Sequence, residues 1–319
     1  MSAHEQHRFR VALCFGLVYV FWGSTYLGIR IGVEHLGPLL MTGVRFVIAG
    51  SLMLLWCAVT GRGIKASRHD LWRVAVVGVL LLTGGNAGVA WAEKVVPSGL
   101  AALIVAAVPL YVLLIETVIL RGDRLRARGL AGLALGIAGL VVLLWPKLTS
   151  SAALDHKLVL GAGGLLLASA SWALGSVLSR RWQLSLDIFS ATGWEMLIAG
   201  IVNLALATAF GEPKTAVWTW RGAGAIAYLI VFGSWVGYSA YIWLLNHVPT
   251  SKVATYAYVN PVVAVFLGWL VLRERVDGYI VAGTVIVIAA VALVNSSKVK
   301  QAAKPVIKEE LPACEVGAD

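Results

Sequence analysis

Apolar runs of about 20 residues follow one another along nearly the whole chain, separated by short polar or charged turns. An α-helix rises 1.5 Å per residue, so a bilayer core of about 30 Å is crossed in roughly 20 residues. The runs place ten spans at 11–31, 38–60, 72–92, 97–120, 127–146, 158–180, 187–210, 222–245, 250–272 and 278–295. Short loops imply helices packed side by side and leave no room for a globular extramembrane domain. The tail from Ser296 is polar, Lys-rich and then acidic, and is expected to be disordered. The expected fold class is an all-α integral membrane protein.

The spans fall into two related sets. Val96-Pro97 through Val108-Pro109 and Val248-Pro249 through Asn260-Pro261 are near-copies, each with its prolines twelve positions apart and a Trp six positions ahead, Trp91 and Trp243. Trp22-Gly23-Ser24 is echoed by Trp172-Ala173-Leu174. Thr42-Gly43 and Ile48-Ala49-Gly50 return 150 positions later as Thr192-Gly193 and Ile198-Ala199-Gly200, and Trp72-Arg73 returns as Trp220-Arg221. Each half then holds five helices, and an odd number turns the second half upside down relative to the first. The expected organisation is a cytoplasmic tail at 1–10, a five-helix repeat at 11–146, a periplasmic linker at 147–157, an inverted five-helix repeat at 158–295 and a tail at 296–319. A proline inside a helix removes a backbone bond, so Pro109 and Pro261 mark helix kinks at equivalent places.

Composition agrees with a lipid-facing surface: 59% of residues are hydrophobic and 13% charged, against about 25% charged in a soluble domain. The net charge of +10 does not point to nucleic acid, because Lys and Arg cluster in the loops. On ten spans starting inside, seventeen of them are cytoplasmic and eight outside, which predicts both termini in the cytoplasm. The turn after span four, Arg121-Gly122-Asp123-Arg124, is strongly basic; its copy balances Arg273 and Arg275 with Glu274 and Asp277, as an outward-facing copy should. Cys14, Cys57 and Cys314 have no metal-ligand spacing, and no cofactor is expected. No HExxH, GxSxG or nucleotide-binding loop appears, so neither an enzyme nor ATP-driven pumping is expected.

Taken together, these features resemble the drug/metabolite transporter superfamily, in particular its ten-helix EamA-like exporters. The resemblance rests on Trp22-Gly23-Ser24-Thr25, Arg45-Phe46 with Ile48-Ala49, Pro97 through Ala102, Val108-Pro109, Val248-Pro249-Thr250, Asn260-Pro261 and the two Arg-rich turns, and covers residues 11 to 295. It implies export of amino acids, other metabolites or toxic compounds through a cavity between the halves, lined by helices one, three, four, six, eight and nine.

Candidate pathway residues follow. On the ninth span Lys252, Tyr256, Asn260 and Val263 share a face, opposite the nearly apolar Leu100, Ile104, Val108 and Tyr111 of the fourth. One wall is therefore greasy and the other hydrogen-bonding. Tyr256 and Asn260 are read as pathway residues, with interhelical bridging as the plainer alternative. Trp22, Thr25, Trp172 and Tyr238 join them, together with Tyr111 and with Asn86, a polar point among Gly84, Gly85 and Gly88. Three charges lie inside apolar runs, where charge is costly. Arg45 and Glu195 are equivalent in the two halves, so a direct pair between them is not expected. For Arg45 the preferred reading is structural, a side chain snorkelling to an interface. Glu195 and Glu116 are the candidates for a protonatable coupling group, Glu195 leading; the plainer reading of Glu116, near Arg121, is an interfacial ion pair.

The expected function is alternating-access export of a small metabolite such as an amino acid, in the inner membrane, with lipid as surroundings and protons as the candidate coupling ion. No nucleic acid or obligate protein partner is implied. Multidrug efflux and a non-transporting membrane sensor are the alternatives.

Overall fold

The structure, a computed structural model, describes residues 3–96, 101, 104–116, 124–125, 127–149, 156–263, 277–296 and 299–300. Pro97, the charged turns at 121–123 and 273–275, most of the linker and the tail from 301 lie outside the described residues.

The described chain is almost wholly helical. α1 spans Ala3–His35, α2 Pro38–Val59, α3 Arg68–Ala92, α4 Val108–Leu114, α5 Ala127–Thr149, α6 His156–Arg181, α7 Ile188–Ala209 and α8 Trp220–His247. α9 runs as Thr250–Val253 and, after a turn at 254 and 255, as 256–263; α10 spans Gly278–Ser296. Six of these helices are long and apolar enough to cross a membrane: α1, α2, α3, α6, α7 and α8. α1 begins well before the expected residue 11 because nothing between Ala3 and Arg10, neither Gly nor Pro, stops it. Two-residue strands β1 (Arg124–Leu125) and β2 (Val299–Lys300) pair antiparallel, which brings the chain ahead of α5 beside the chain after α10.

Local chemistry sets the boundaries. Pro38 stands in the first turn of α2, where its missing N–H costs nothing. α2 ends on Gly61 at φ 73, with Arg62 N–H bonded to Cys57 O at 2.8 Å and Gly61 N–H to Ala58 O at 3.3 Å. That pair of reversed bonds needs a left-handed residue, which glycine supplies without strain. Gly211, also left-handed at φ 74, ends α7, with its N–H bonded to Thr208 O at 3.1 Å. Ser67, Asp187 and Thr219 cap the starts of α3, α7 and α8 by accepting a backbone N–H.

Packing carries the same internal echo. α2 and α7 each have 22 residues, and they start 150 positions apart. They lie antiparallel: Gly43 meets Leu204, Gly50 meets Leu197, Gly193 meets Leu54 and Gly200 meets Val47. Each of these contacts has its counterpart with the helices exchanged. α3 and α8 both widen into π-helix, at Val79–Ala87 and Leu229–Tyr238. α5 and α10 also pack antiparallel, Gly132 against Val294 and Gly139 against Val287. Glycine at these crossings lets backbones touch, which is how helices gain contact in lipid, where no hydrophobic force drives them together.

Burial is inverted relative to a soluble protein. Leu13, Val20 and Leu27, spaced by seven on α1, are exposed, as are Leu52, Leu55 and Val59 on α2 and Leu167 on α6. Meanwhile Thr42, Arg45, Ser190, Thr192, Glu195 and Asn203 are buried. Apolar outward faces around a polar seam are stable where the surroundings are hydrocarbon.

Candidate functional site

A cavity of about 680 Å³, the open solvent at its mouth included, lies among α1, α2, α3, α4, α6, α8 and α9. The resemblance implied all of these helices except α2.

Its floor is aromatic. Trp22 of α1 and Trp172 of α6, equivalent residues, meet edge to face with ring centroids 5.4 Å apart. Tyr241 and Tyr256 close the cluster, each 4.8 to 5.0 Å from the Trp22 ring. The indoles are fixed by donating their N–H groups, Trp22 to Gly233 O at 3.1 Å and Trp172 to the Tyr241 hydroxyl at 3.0 Å. Aromatic pairs in this geometry contribute about 0.5–1.5 kcal/mol beyond area burial. Both indoles lie on the π segments: Trp22 crosses Gly237 and Trp172 crosses Gly85, each too close to accept a Cβ. A π turn sets side chains outside the 3.6-residue repeat, so it can turn backbone and polar groups toward a site.

Of the residues singled out in the sequence, Trp22, Thr25, Arg45, Asn86, Trp172, Tyr238, Tyr256 and Asn260 line the cavity. Tyr111 does not; it packs half-buried against the core. The buried positions of α4 include Val108 and Val112, with Val105 buried just ahead of its turn, and Tyr111 lies about 100° around the helix from Val112. Pro109 stands in the first turn of α4, directly after a turn at 106 and 107. Pro261 sits within 256–263, while the looser turn of α9 comes earlier, where Ala257 N–H bonds back three residues to Ala254 O.

Arg45 departs from its expected place. It does not snorkel to an interface; it is 3% exposed and borders the cavity. Its Nε donates to the Ser234 hydroxyl at 2.9 Å, and the guanidinium lies 4.8 Å from the Phe46 ring centre. Gly233 makes the room: a Cβ there would lie 2.6 Å from Arg45 Nη2. Glu195, 1% exposed, accepts a hydrogen bond of 2.8 Å from the Tyr238 hydroxyl, one side chain behind the cavity wall. Arg45 and Glu195 thus reach the same π segment four residues apart, at Ser234 and Tyr238, without an ion pair between them. Glu116 is buried, and Arg121, its expected partner, lies outside the described residues.

Sequence reasoning missed Tyr26, Phe46, Ser169 and Gly233, which also line the cavity. Tyr26 of α1 borders the cavity together with Asn260 of α9. It follows Trp22 by four positions, a helical spacing legible in the sequence. Ser169, three positions before Trp172, carried a similar signal.

The sequence model of the EamA-like transporter family matches residues 10–145 and again residues 159–296. The chain belongs to this family. It is a membrane transporter of the drug/metabolite type. The inner membrane transporter YedA of Escherichia coli (strain K12) is 40% identical over 291 residues, covering 91% of this chain and 92% of YedA. Transporter YoaV of Bacillus subtilis (strain 168) is 22% identical over 270 residues, covering 85% and 91%. Protein PecM of Dickeya dadantii (strain 3937) is 27% identical over 278 residues, covering 86% and 88%. A solved crystal structure aligns with TM-score 0.75 over 89% of this chain and 95% of its own, at 22% identity, and shares the fold.

Proposed function

We propose that this transporter exports small amphipathic metabolites, amino acids or close relatives, by alternating access between two inverted five-helix halves. The observation that carries the reading is the cavity itself. It is floored by the equivalent residues Trp22 and Trp172 and bounded by helices from both halves. The reciprocal antiparallel seam of α2 and α7 and the paired π segments support inversion, because a two-fold axis lying in the membrane would relate such contacts. The two successive stretches that match the family support halves at 11–146 and 158–295. A relative named as an inner membrane transporter supports that location, and the Lys and Arg bias supports cytoplasmic termini.

In this reading the greasy wall, Val105 and Val108, and the aromatic floor receive the apolar part of the solute, and Asn260 and Tyr256 its polar part. Glu195 carries the coupling proton. Its protonation changes the hydrogen bond with Tyr238 and with it the α8 wall. Two states of one element, biased by a proton on one side and a solute on the other, are what coupling requires.

The test is efflux from proteoliposomes preloaded with a labelled amino-acid panel, with and without an imposed pH gradient. Protein-dependent efflux of a few solutes that responds to the gradient supports the whole reading. Efflux indifferent to pH makes the protein a facilitator and returns Glu195 to a structural role. No efflux of any amino acid removes them as cargo.

A further inference from the structure

Among the described residues that line the cavity, Arg45 is the one charged side chain. It is 3% exposed, and among the described residues its Nη1 has no hydrogen-bond partner. Its Nε is held by Ser234, so the fork of the guanidinium is fixed in direction while one arm remains unused. An unpaired buried charge costs far more than a paired one, and a fold keeps it where something else completes it. Glu195 does not: it is bonded to Tyr238 and forms no ion pair with Arg45. Among the described residues, the remaining cavity groups with unbonded oxygens, Asn86, Ser169 and Asn260, carry no charge.

We propose that Arg45 is the anchor for a carboxylate on the transported solute, and therefore that this transporter selects organic acids and zwitterions over cations. The assignment rests on the cavity being the solute pathway. A planar guanidinium presents parallel N–H donors that match the two oxygens of a carboxylate, and such charge-assisted bonds are among the strongest available. Among the described residues none that lines the cavity is acidic, so the one charge on those walls repels a cationic solute. Gly233 belongs to the same device: any side chain at that position would displace the guanidinium.

The experiment is equilibrium binding to the purified full-length wild-type protein, read from the ligand-induced change in its tryptophan fluorescence, to which Trp22 and Trp172 at the cavity contribute. The ligands are L-amino acids and the matching carboxamides, which keep the side chain and the amine but lose the carboxylate. Chloride and inorganic phosphate serve as separate arms. We expect at least one acid to bind about tenfold or more tightly than its amide, and Arg45→Gln to bring that ratio to about one. Arg45→Lys, which keeps the charge and loses the fork, falls between them. Amides binding as well as acids, no acid binding at all, or an acid preference retained by Arg45→Gln each overturn the anchor. So does chloride or phosphate binding as tightly as the best acid. If Arg45→Gln fails to fold, the wild-type ratio of acid to amide decides alone. Acid-selective binding without flux in proteoliposomes leaves the anchor standing and defeats the transport cycle. Flux of amides and acids alike does the reverse.

Discussion

The seam between α2 and α7 offers the sharpest mechanical test, because the closest contacts are with backbone atoms that have nowhere to swing. An added Cβ at Gly50 would stand 2.5 Å from Leu197 N and 2.8 Å from Gly193 O; at Gly200 it would stand 2.5 Å from Val47 N. Ordinary contact begins near 3.4 Å, so either alanine forces the helices about 0.9 Å apart. Overpacking of this kind costs about 1–3 kcal/mol, and a gap approaching 1 Å forfeits a quarter to a half of each neighbouring dispersion contact. Gly50→Ala and Gly200→Ala should therefore each destabilise by about 2 kcal/mol. The two contacts sit only about 4.5 Å apart along the seam, three residues at 1.5 Å each. A separation that relieves one relieves much of the other. The double variant should consequently lose clearly less than the sum of the singles, with a coupling of about 1 kcal/mol or more. Gly163→Ala and Gly224→Ala, where a Cβ meets nothing within 4 Å, are the matched controls and should lose nothing. The assay is the fraction of monodisperse protein left after heating in detergent, followed across temperature for all five variants beside wild type. Wild-type stability of both single variants refutes the close seam. Strict additivity refutes the claim that the two glycines share one crossing.

Glu195→Gln keeps the shape and accepts the same hydrogen bond from Tyr238; it should leave downhill flux within about threefold of wild type while abolishing its response to an imposed pH gradient, measured in proteoliposomes. A gradient response that survives the substitution moves the proton elsewhere. Asn260→Ala and Tyr256→Phe should lower flux about tenfold with normal membrane insertion, since each removes a polar group bordering the cavity; wild-type rates in both would take α9 out of the pathway. Gly233→Ala should weaken binding of carboxylate solutes about tenfold by pushing the Arg45 guanidinium aside, and unchanged binding would show that the guanidinium has room to spare.

Much of this protein is written in one dimension. Hydropathy alone announces the membrane class, because a span needs only length and the absence of charge, and both are local properties. The repeat was legible in the same way: Thr42-Gly43 and Thr192-Gly193 stand 150 positions apart, and so do the starts of α2 and α7. Helix ends followed from Pro38 and Gly61, whose backbone preferences belong to the residue and not to its neighbours. Paired Trp22 and Trp172, Asn260 and Tyr256 were found because pseudo-equivalence and helical spacing mark a face before any partner is known.

Other features waited on the tertiary structure. Whether a buried charge turns to lipid or to a cavity depends on what the opposite helix leaves open, and Arg45 turned inward because Gly233 on α8, nearly two hundred residues away, has no side chain. Tyr111 sits at a plausible spacing but on the wrong side of the buried Val108 and Val112, since the phase of α4 is set by packing after its broken turn. The π segments of α3 and α8 carry no compositional signature, because the extra residue per turn is accommodated by contacts across helices. The residue sequence determined that apolar, membrane-crossing helices recur along the chain and that the chain carries two related sets. Only their packing decided which polar groups meet in one cavity, because that meeting is a property of distances between helices and not of order along any of them.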